Sequence, residues 1–131
     1  ELDTVYAENL TYPVSHKMVA TRAGLGWIGK SDLFVSKAFG PRLRLVSMLT
    51  NQPLEIENEP IESSRCGKCK ICKGRCPAHA INGKLWDISV KREDFFDPFK
   101  CREKCKELGK KYLGMDAAIC GICVAVCPFG W

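Results

Sequence analysis

The stretch "CGKCKICKGRCP", residues 66–77, places Cys66, Cys69, Cys72 and Cys76 ahead of Pro77 in the spacing C-x2-C-x2-C-x3-C-P. Three thiolates this close along a tight loop reach three corners of one cubane iron-sulfur cluster. The fourth is carried away on the turn that follows and serves a neighbouring cluster. A structural zinc site draws two close pairs separated by a longer stretch, so four cysteines packed this tightly fit zinc poorly.

The end of the chain repeats the pattern with one member missing. In "CGICVAVCPFGW", Cys120, Cys123 and Cys127-Pro128 take the second, third and fourth places, and the first falls on Ala117, which cannot ligate. Two cubanes need about eight thiolates, and the two motifs supply all but one. Cys101 or Cys105 supplies the remaining ligand, being the only other cysteines. By the exchange between motifs seen in bacterial ferredoxins, one cluster takes Cys66, Cys69, Cys72 and Cys127. The other takes Cys76, Cys120 and Cys123 plus Cys101 or Cys105. Those two lie one helical turn apart, on one face, and both are not needed. The leftover thiol is a small buried hydrophobe, an oxidisable surface residue, or a ligand exchanged under stress.

Working outward, 131 residues with 46% hydrophobic content make one domain's worth of material. An odd count of nine cysteines in close C-x-x-C spacing points to thiolate ligands in a reducing, cytoplasmic setting rather than to a secreted disulfide scaffold. No apolar run is long enough to cross a bilayer and no signal segment opens the chain, so a soluble protein without membrane contact is expected. The start at "ELDTVYAENL" without Met, and the stop just after a cysteine motif, read as a piece of a longer protein.

Net charge is +5, unevenly spread. Residues 1–64 hold six Lys/Arg against eight Asp/Glu, residues 65–111 fourteen against six, and residues 112–131 none against one, giving −2, +8 and −1. Two oxidised clusters bring about −4 together, which accounts for about half of the basic excess. The remainder suits an acidic electron donor or an RNA. Nearby lysines and the amides of Gly67, Gly74 and Gly121 are expected to raise the cluster potentials.

Upstream, "GLGWIGKS", residues 24–31, satisfies both G-x-x-x-x-G-K-S and G-x-G-x-x-G. A phosphate loop of either kind needs a strand before the glycines and a helix after them. Here Ser15 as N-cap and Gly24 as stop predict a helix over 15–23, and strand-like sequence follows Ser31. The order is reversed, so the segment reads as a helix-to-strand turn with Trp27 and Ile28 packed inward, not as an ATPase or dinucleotide site. "LFVS" and "RLRLVSMLT" read as two strands joined around Gly40-Pro41. "QPLEIENEPIESS" reads as an exposed acidic connection, and "DPFKCREKCKELGKKYLG" as a polar helix stopped at Gly114. His16 and His79 read as surface or satisfied residues rather than catalyst or ligand. Trp86, Phe95, Phe96, Phe99 and Phe129 are expected around the clusters, excluding water.

Taken together, "VATRAGLGWIGKSDLFV", a hairpin, "CGKCKICKGRCPAHAI" and "CGICVAVCPFGW" in that order resemble the epoxyqueuosine reductase family and its double-cluster relatives, themselves similar to the iron-sulfur half of reductive dehalogenases. The resemblance runs from about Pro13 to Phe129. It implies two [4Fe-4S] clusters passing electrons to a cobalamin held in a nitroreductase-like lobe, most of which would lie upstream of Glu1. It also implies that residues 24–31 pack beside that lobe, with Trp27 and Lys30 as candidates for lining it, and that tRNA is a candidate partner of the intact protein. In the relatives a single cysteine after the first Cys-Pro completes the second cluster in a setting like "FKCRE", which implies Cys101 rather than Cys105. One departure stands out: where the family's V-D-x-x-P-V segment carries a general-acid Asp, alignment on Pro13-Val14 puts Leu10. Leucine cannot donate a proton, so reduction of epoxyqueuosine by that route is not expected.

The sequence thus predicts an α+β chain in three parts: a partial nitroreductase-like segment of short helix plus β-hairpin over 1–52, an acidic linker over 53–64, and a bacterial-ferredoxin-like two-cluster domain over 65–131. The expected activity is relay of single electrons from a redox donor to an acceptor protein, domain or cofactor. The alternatives are a fragment of a corrinoid-dependent reductase acting on tRNA or a small molecule, and a domain in which metal only holds the fold.

Overall fold

The computed structural model describes residues 8–55 and 58–130. Helix α1 spans His16–Arg22, and the Ser15 hydroxyl accepts from the Met18 amide at 3.4 Å, the cap expected of a serine there. Its inner side buries Ala20 and Thr21. The chain turns at Gly24, whose φ is +68°, and enters β1, Gly26–Ile28, which pairs antiparallel with β2, Phe34–Ser36. The register sets Trp27 opposite Val35 and Ile28 opposite Phe34.

Helix, glycines and strand therefore follow in the order that rules out a phosphate loop, and Ser31 leads to a strand rather than a helix. Gly26 is needed for a different reason: a Cβ there would stand 2.1 Å from the Val35 carbonyl oxygen, so no side chain fits between the paired strands.

The expected hairpin is corrected by this pairing. Phe34–Ser36 is a strand, but its partner is Gly26–Ile28, and residues 42–50 form no strand. The alternation in "RLRLVSMLT" has another cause: Leu43 and Leu45 pack on the core while Arg44, Val46 and Met48 face solvent, with no neighbouring strand to take up the backbone bonds.

Because successive side chains of a strand point to opposite faces, the hairpin is buried on both sides. Ile28 and Phe34 join Ala20 and Phe95 in one cluster, with Trp86, Val90 and Phe96 packed against it. Trp27 and Val35 join Ile61 in a second, against which Cys66 and Phe129 pack. Ile61 lies within the acidic connection, so this stretch is exposed at 53–55 and 58–60 but returns to the core at Ile61, whose amide donates to the Thr21 carbonyl at 2.9 Å. Phe95, Trp86 and Phe96 thus build the main core rather than a shell around the cysteines, Phe99 is exposed, and Phe129 alone of the expected aromatics stands against the cysteines.

Among the described residues the cysteine-rich part has three α-helices, α2 over Ile71–Arg75, α3 over Pro98–Leu113 and α4 over Ile122–Ala125, and a 3-10 turn over Arg92–Asp94. Helices α2 and α4, each inside one cysteine motif, pack on each other. Asp97 caps α3 by accepting from the Lys100 amide at 3.0 Å, Pro98 occupies the first turn, and Gly114 ends the helix in the left-handed region at φ +65°. The architecture is mixed α and β: a two-stranded antiparallel hairpin joined to a cluster-binding domain.

Candidate metal centre

Each cysteine motif is a loop closed by a short helix. Cys66 and Cys69 lie in the loop before α2, which carries Cys72, and Cys76 follows it at the cap. In the second motif Cys120 precedes α4, Cys123 lies within it, and Cys127 comes just after its cap. The pairing of α2 with α4 brings the two loops together although they are distant in sequence.

Cys66, Cys69, Cys72, Cys123 and Cys127 line a single cavity, together with Gly29, Lys30, Val35 and Phe129. Burial pushes the Cys72 thiol above its ordinary pKa, and the charges of Cys66, Cys69 and Cys127 push it further. Cys127 is raised in the same way, by burial and then by Cys66 and Cys69.

A second group gathers around Cys123, pushed up to about 11 by burial and by the charges of Cys120, Cys72 and Cys76. Cys101 is raised by burial and by Cys123, Cys76 and Cys120 together. Cys105 is buried and pushed up to about 12 by burial and then by Cys101 and Cys120. Its sulfur lies 3.9 Å from that of Cys101. Thiols that resist ionisation side by side need a cationic partner to hold them as thiolates, which iron supplies.

The donor set fits iron-sulfur clusters. Five cysteines line the cavity and, among the described residues, no carboxylate or imidazole does, as suits a soft thiolate site for such clusters. Among the described residues no three of His, Cys, Asp and Glu stand close enough to hold one metal ion; the sulfurs ring a space instead. The indole Nε1 of Trp27, packed beside Cys66, is buried without a hydrogen-bond partner, and a cluster sulfur is an acceptor of the kind it lacks.

Two cations from the first part of the chain clasp the two loops. Lys30, 3% exposed, donates from Nζ to the carbonyls of Gly67 at 2.7 Å and Cys69 at 2.8 Å. Arg42 donates to the carbonyls of Phe129 at 2.8 Å, Cys127 at 2.7 Å and Ala125 at 3.3 Å. Neither role is visible in the sequence, where Arg42 belongs to an apparent strand. Trp27 meets Phe129 edge-on with ring centroids 5.1 Å apart. Both residues expected along a corrinoid lobe, Trp27 and Lys30, thus turn toward the cysteine loops.

A larger cavity of about 690 Å³ opens on the other side, beside α1. Leu10, Tyr12, His16, Met18, Trp86 and Arg92 line it. His16 is exposed and shares a 2.8 Å hydrogen bond with the Ser47 hydroxyl, and Arg92 donates to the Leu10 carbonyl at 2.8 Å. His79 is exposed on the turn after Cys76, at φ +49°.

Comparison with known proteins agrees with this geometry. The epoxyqueuosine reductase of Synechococcus sp. (strain CC9605) is 35% identical over 118 residues, which cover 89% of this chain and 36% of that protein. The epoxyqueuosine reductase of Lactococcus garvieae (strain Lg2) is 35% identical over 118 residues, 85% of this chain and 30% of the relative. The tetrachloroethene reductive dehalogenase of Sulfurospirillum multivorans is 34% identical over 121 residues, 84% of this chain and 22% of the relative. The chain therefore spans from 22% to 36% of the length of these relatives. No solved structure matches it. Among the described residues no helix is long and apolar enough to cross a membrane. The sequence pattern of the 4Fe-4S double cluster binding domain matches residues 65–130, half of the chain, and the chain belongs to that family.

Proposed function

We propose that Cys66, Cys69, Cys72 and Cys127 hold one [4Fe-4S] cluster and Cys76, Cys101, Cys120 and Cys123 the other, and that the pair relays single electrons from a reduced donor to an acceptor. The observation that carries this reading is the cavity that Cys66, Cys69 and Cys72 of the first motif share with Cys123 and Cys127 of the second. When bound, such clusters gain and lose one electron at a time. The chain's own part is to hold the sulfurs in place through Arg42 and Lys30, and to keep water off them with Trp27, Val35 and Phe129. Cys101 is chosen over Cys105 on the resemblance of its setting, "FKCRE", to that of the family's single cysteine; Cys123, Cys76 and Cys120 act on its thiol, and Cys120 also acts on that of Cys105.

The relatives support a place for the relay inside a larger reductase, with a nitroreductase-like lobe and a cobalamin as the acceptor. Such a reductase would act on tRNA or a small molecule and work in the cytoplasm. Leu10 stands at the position of the family's acidic residue, so a substrate other than epoxyqueuosine, or a proton donor elsewhere, is the reading for this chain.

Anaerobic preparation with iron and sulfide analysis, followed by electron paramagnetic resonance of the dithionite-reduced protein, tests the relay. About eight irons with matching sulfide and two interacting paramagnets are expected. Zinc without sulfide overturns the relay and leaves a domain in which metal only holds the fold. A corrinoid spectrum retained by the full-length protein after incubation with hydroxocobalamin tests the larger reading, which fails if none is retained.

A further inference from the structure

Lys30 is 3% exposed, and among the described residues its ammonium donates to two neutral carbonyls, those of Gly67 and Cys69. Among the described residues it forms no ion pair with a carboxylate, whereas Lys17, Lys84, Lys100, Lys104 and Lys106 all do. Burying a cation without an opposite charge is costly, and buried charges are paired or bound to metal. Lys30 also lines the cavity on which Cys66, Cys69, Cys72, Cys123 and Cys127 converge. A cluster with four thiolate ligands carries about −2, and one more unit of negative charge when reduced.

From these observations we infer that Lys30 is the counter-cation of the cluster in the cavity of Cys66, Cys69, Cys72 and Cys127, and raises the reduction potential of that cluster relative to its neighbour. The inference rests on the two-cluster reading above. The electrostatics fix the sign: a positive charge in a poorly solvated wall stabilises the reduced, more negative state more than the oxidised one. One cluster feels this more strongly, because the cavity holds all of Cys66, Cys69, Cys72 and Cys127 but, of the neighbour's four cysteines, Cys123 and not Cys76, Cys101 or Cys120. Arg42 also faces this side, at the carbonyl of Cys127, so loss of Lys30 removes part of the positive field and not all of it. The two carbonyl bonds point the ammonium at the ligand loop, which makes Lys30 a positioning residue as well as a charge.

The test is potentiometric titration of the anaerobically loaded protein, followed by electron paramagnetic resonance, on wild type, Lys30→Gln, Lys30→Arg and, as a control removing an exposed charge, Lys84→Gln. In Lys30→Gln the equilibrium constant for reducing one cluster is expected to fall at least tenfold, a midpoint 59 mV lower for one electron, with the other cluster unmoved. Lys30→Arg and Lys84→Gln are expected within threefold of wild type at both clusters. Unmoved midpoints in Lys30→Gln, or equal shifts at both clusters, overturn the inference. Should Lys30→Gln fail to hold a cluster, Lys30→Arg decides: retention of both clusters supports the role of charge, and loss of the same cluster overturns it. Wild type without cubanes refutes the relay itself, whereas cubanes whose potentials ignore Lys30 refute only this inference.

Discussion

Arg42 donates from Nη2 to the carbonyl of Cys127 at 2.7 Å, across 85 residues of sequence. The same guanidinium reaches Phe129 and Ala125, so one side chain fixes the loop that brings the second motif to the first. An arginine serves here because its planar fork offers several donors in fixed directions, which a lysine lacks. Arg42→Lys is expected to destabilise the loaded protein by about 2 kcal/mol, the scale of hydrogen bonds from a charged donor. Anaerobic urea unfolding measures this. An unchanged midpoint would show that the loop is held by other means.

Cys101 and Cys105 lie too close together to bind different irons of one cube, at 3.9 Å between sulfurs. Cys101→Ser is expected to reduce iron from about eight to about four per chain, and Cys105→Ser to leave it unchanged. Iron and sulfide assays of the two variants decide the assignment, which reverses if Cys105→Ser is the one that loses a cluster.

Gly40, at φ +56°, passes so close to the end of the chain that an added Cβ would lie 2.0 Å from the Phe129 carbonyl oxygen. Both facing atoms are backbone and cannot swing aside, so Gly40→Ala must push the two segments apart. Loss of more than 2 kcal/mol of stability and faster bleaching of one cluster in air are expected, read by absorbance near the charge-transfer band.

Asp97 holds its carboxylate below the usual range through the Lys100 amide it caps, with the nearby Lys100 side chain adding to the effect. A depressed value in the folded state means that the cap's contribution is complete above the unfolded pKa of about 3.9. It fades as pH falls through the lower folded value. The stability advantage of wild type over Asp97→Asn should therefore be constant from pH 7 to about 5 and shrink below about 4. Denaturation curves at matched pH check this, and an advantage that grows on acidification would contradict the sign.

The parts legible in sequence are those whose physics is local. Cysteine spacing around Cys66 and Cys120, the cap at Ser15 and the stop at Gly114 each depend on a few consecutive residues, and the structure has helices where the last two predict them. The hairpin was half legible. Gly26–Ile28 has three residues and a glycine, too short for a periodic signal, while residues 42–50 alternate because Leu43 and Leu45 reach the core from an unpaired segment. Ile61 was hidden in an acidic, proline-bearing stretch. Lys30 and Arg42 could not be told from surface cations, since what distinguishes them is a carbonyl contributed from far along the chain. The motif spacing suggests how the cysteines divide, but the surroundings of Cys101 and Cys105 depend on how α3 sits, which spacing alone does not reveal.

The hairpin buried on both faces works as a party wall between two rooms. Ile28 and Phe34 belong to the hydrophobic room, Trp27 and Val35 to the sulfur room, and a change on either strand is felt next door. The family pattern begins at residue 65, yet a chain trimmed to that boundary would stand with one room unroofed, its Cys66 side open to dioxygen. The unit that is recognised is thus smaller than the unit that covers Cys66.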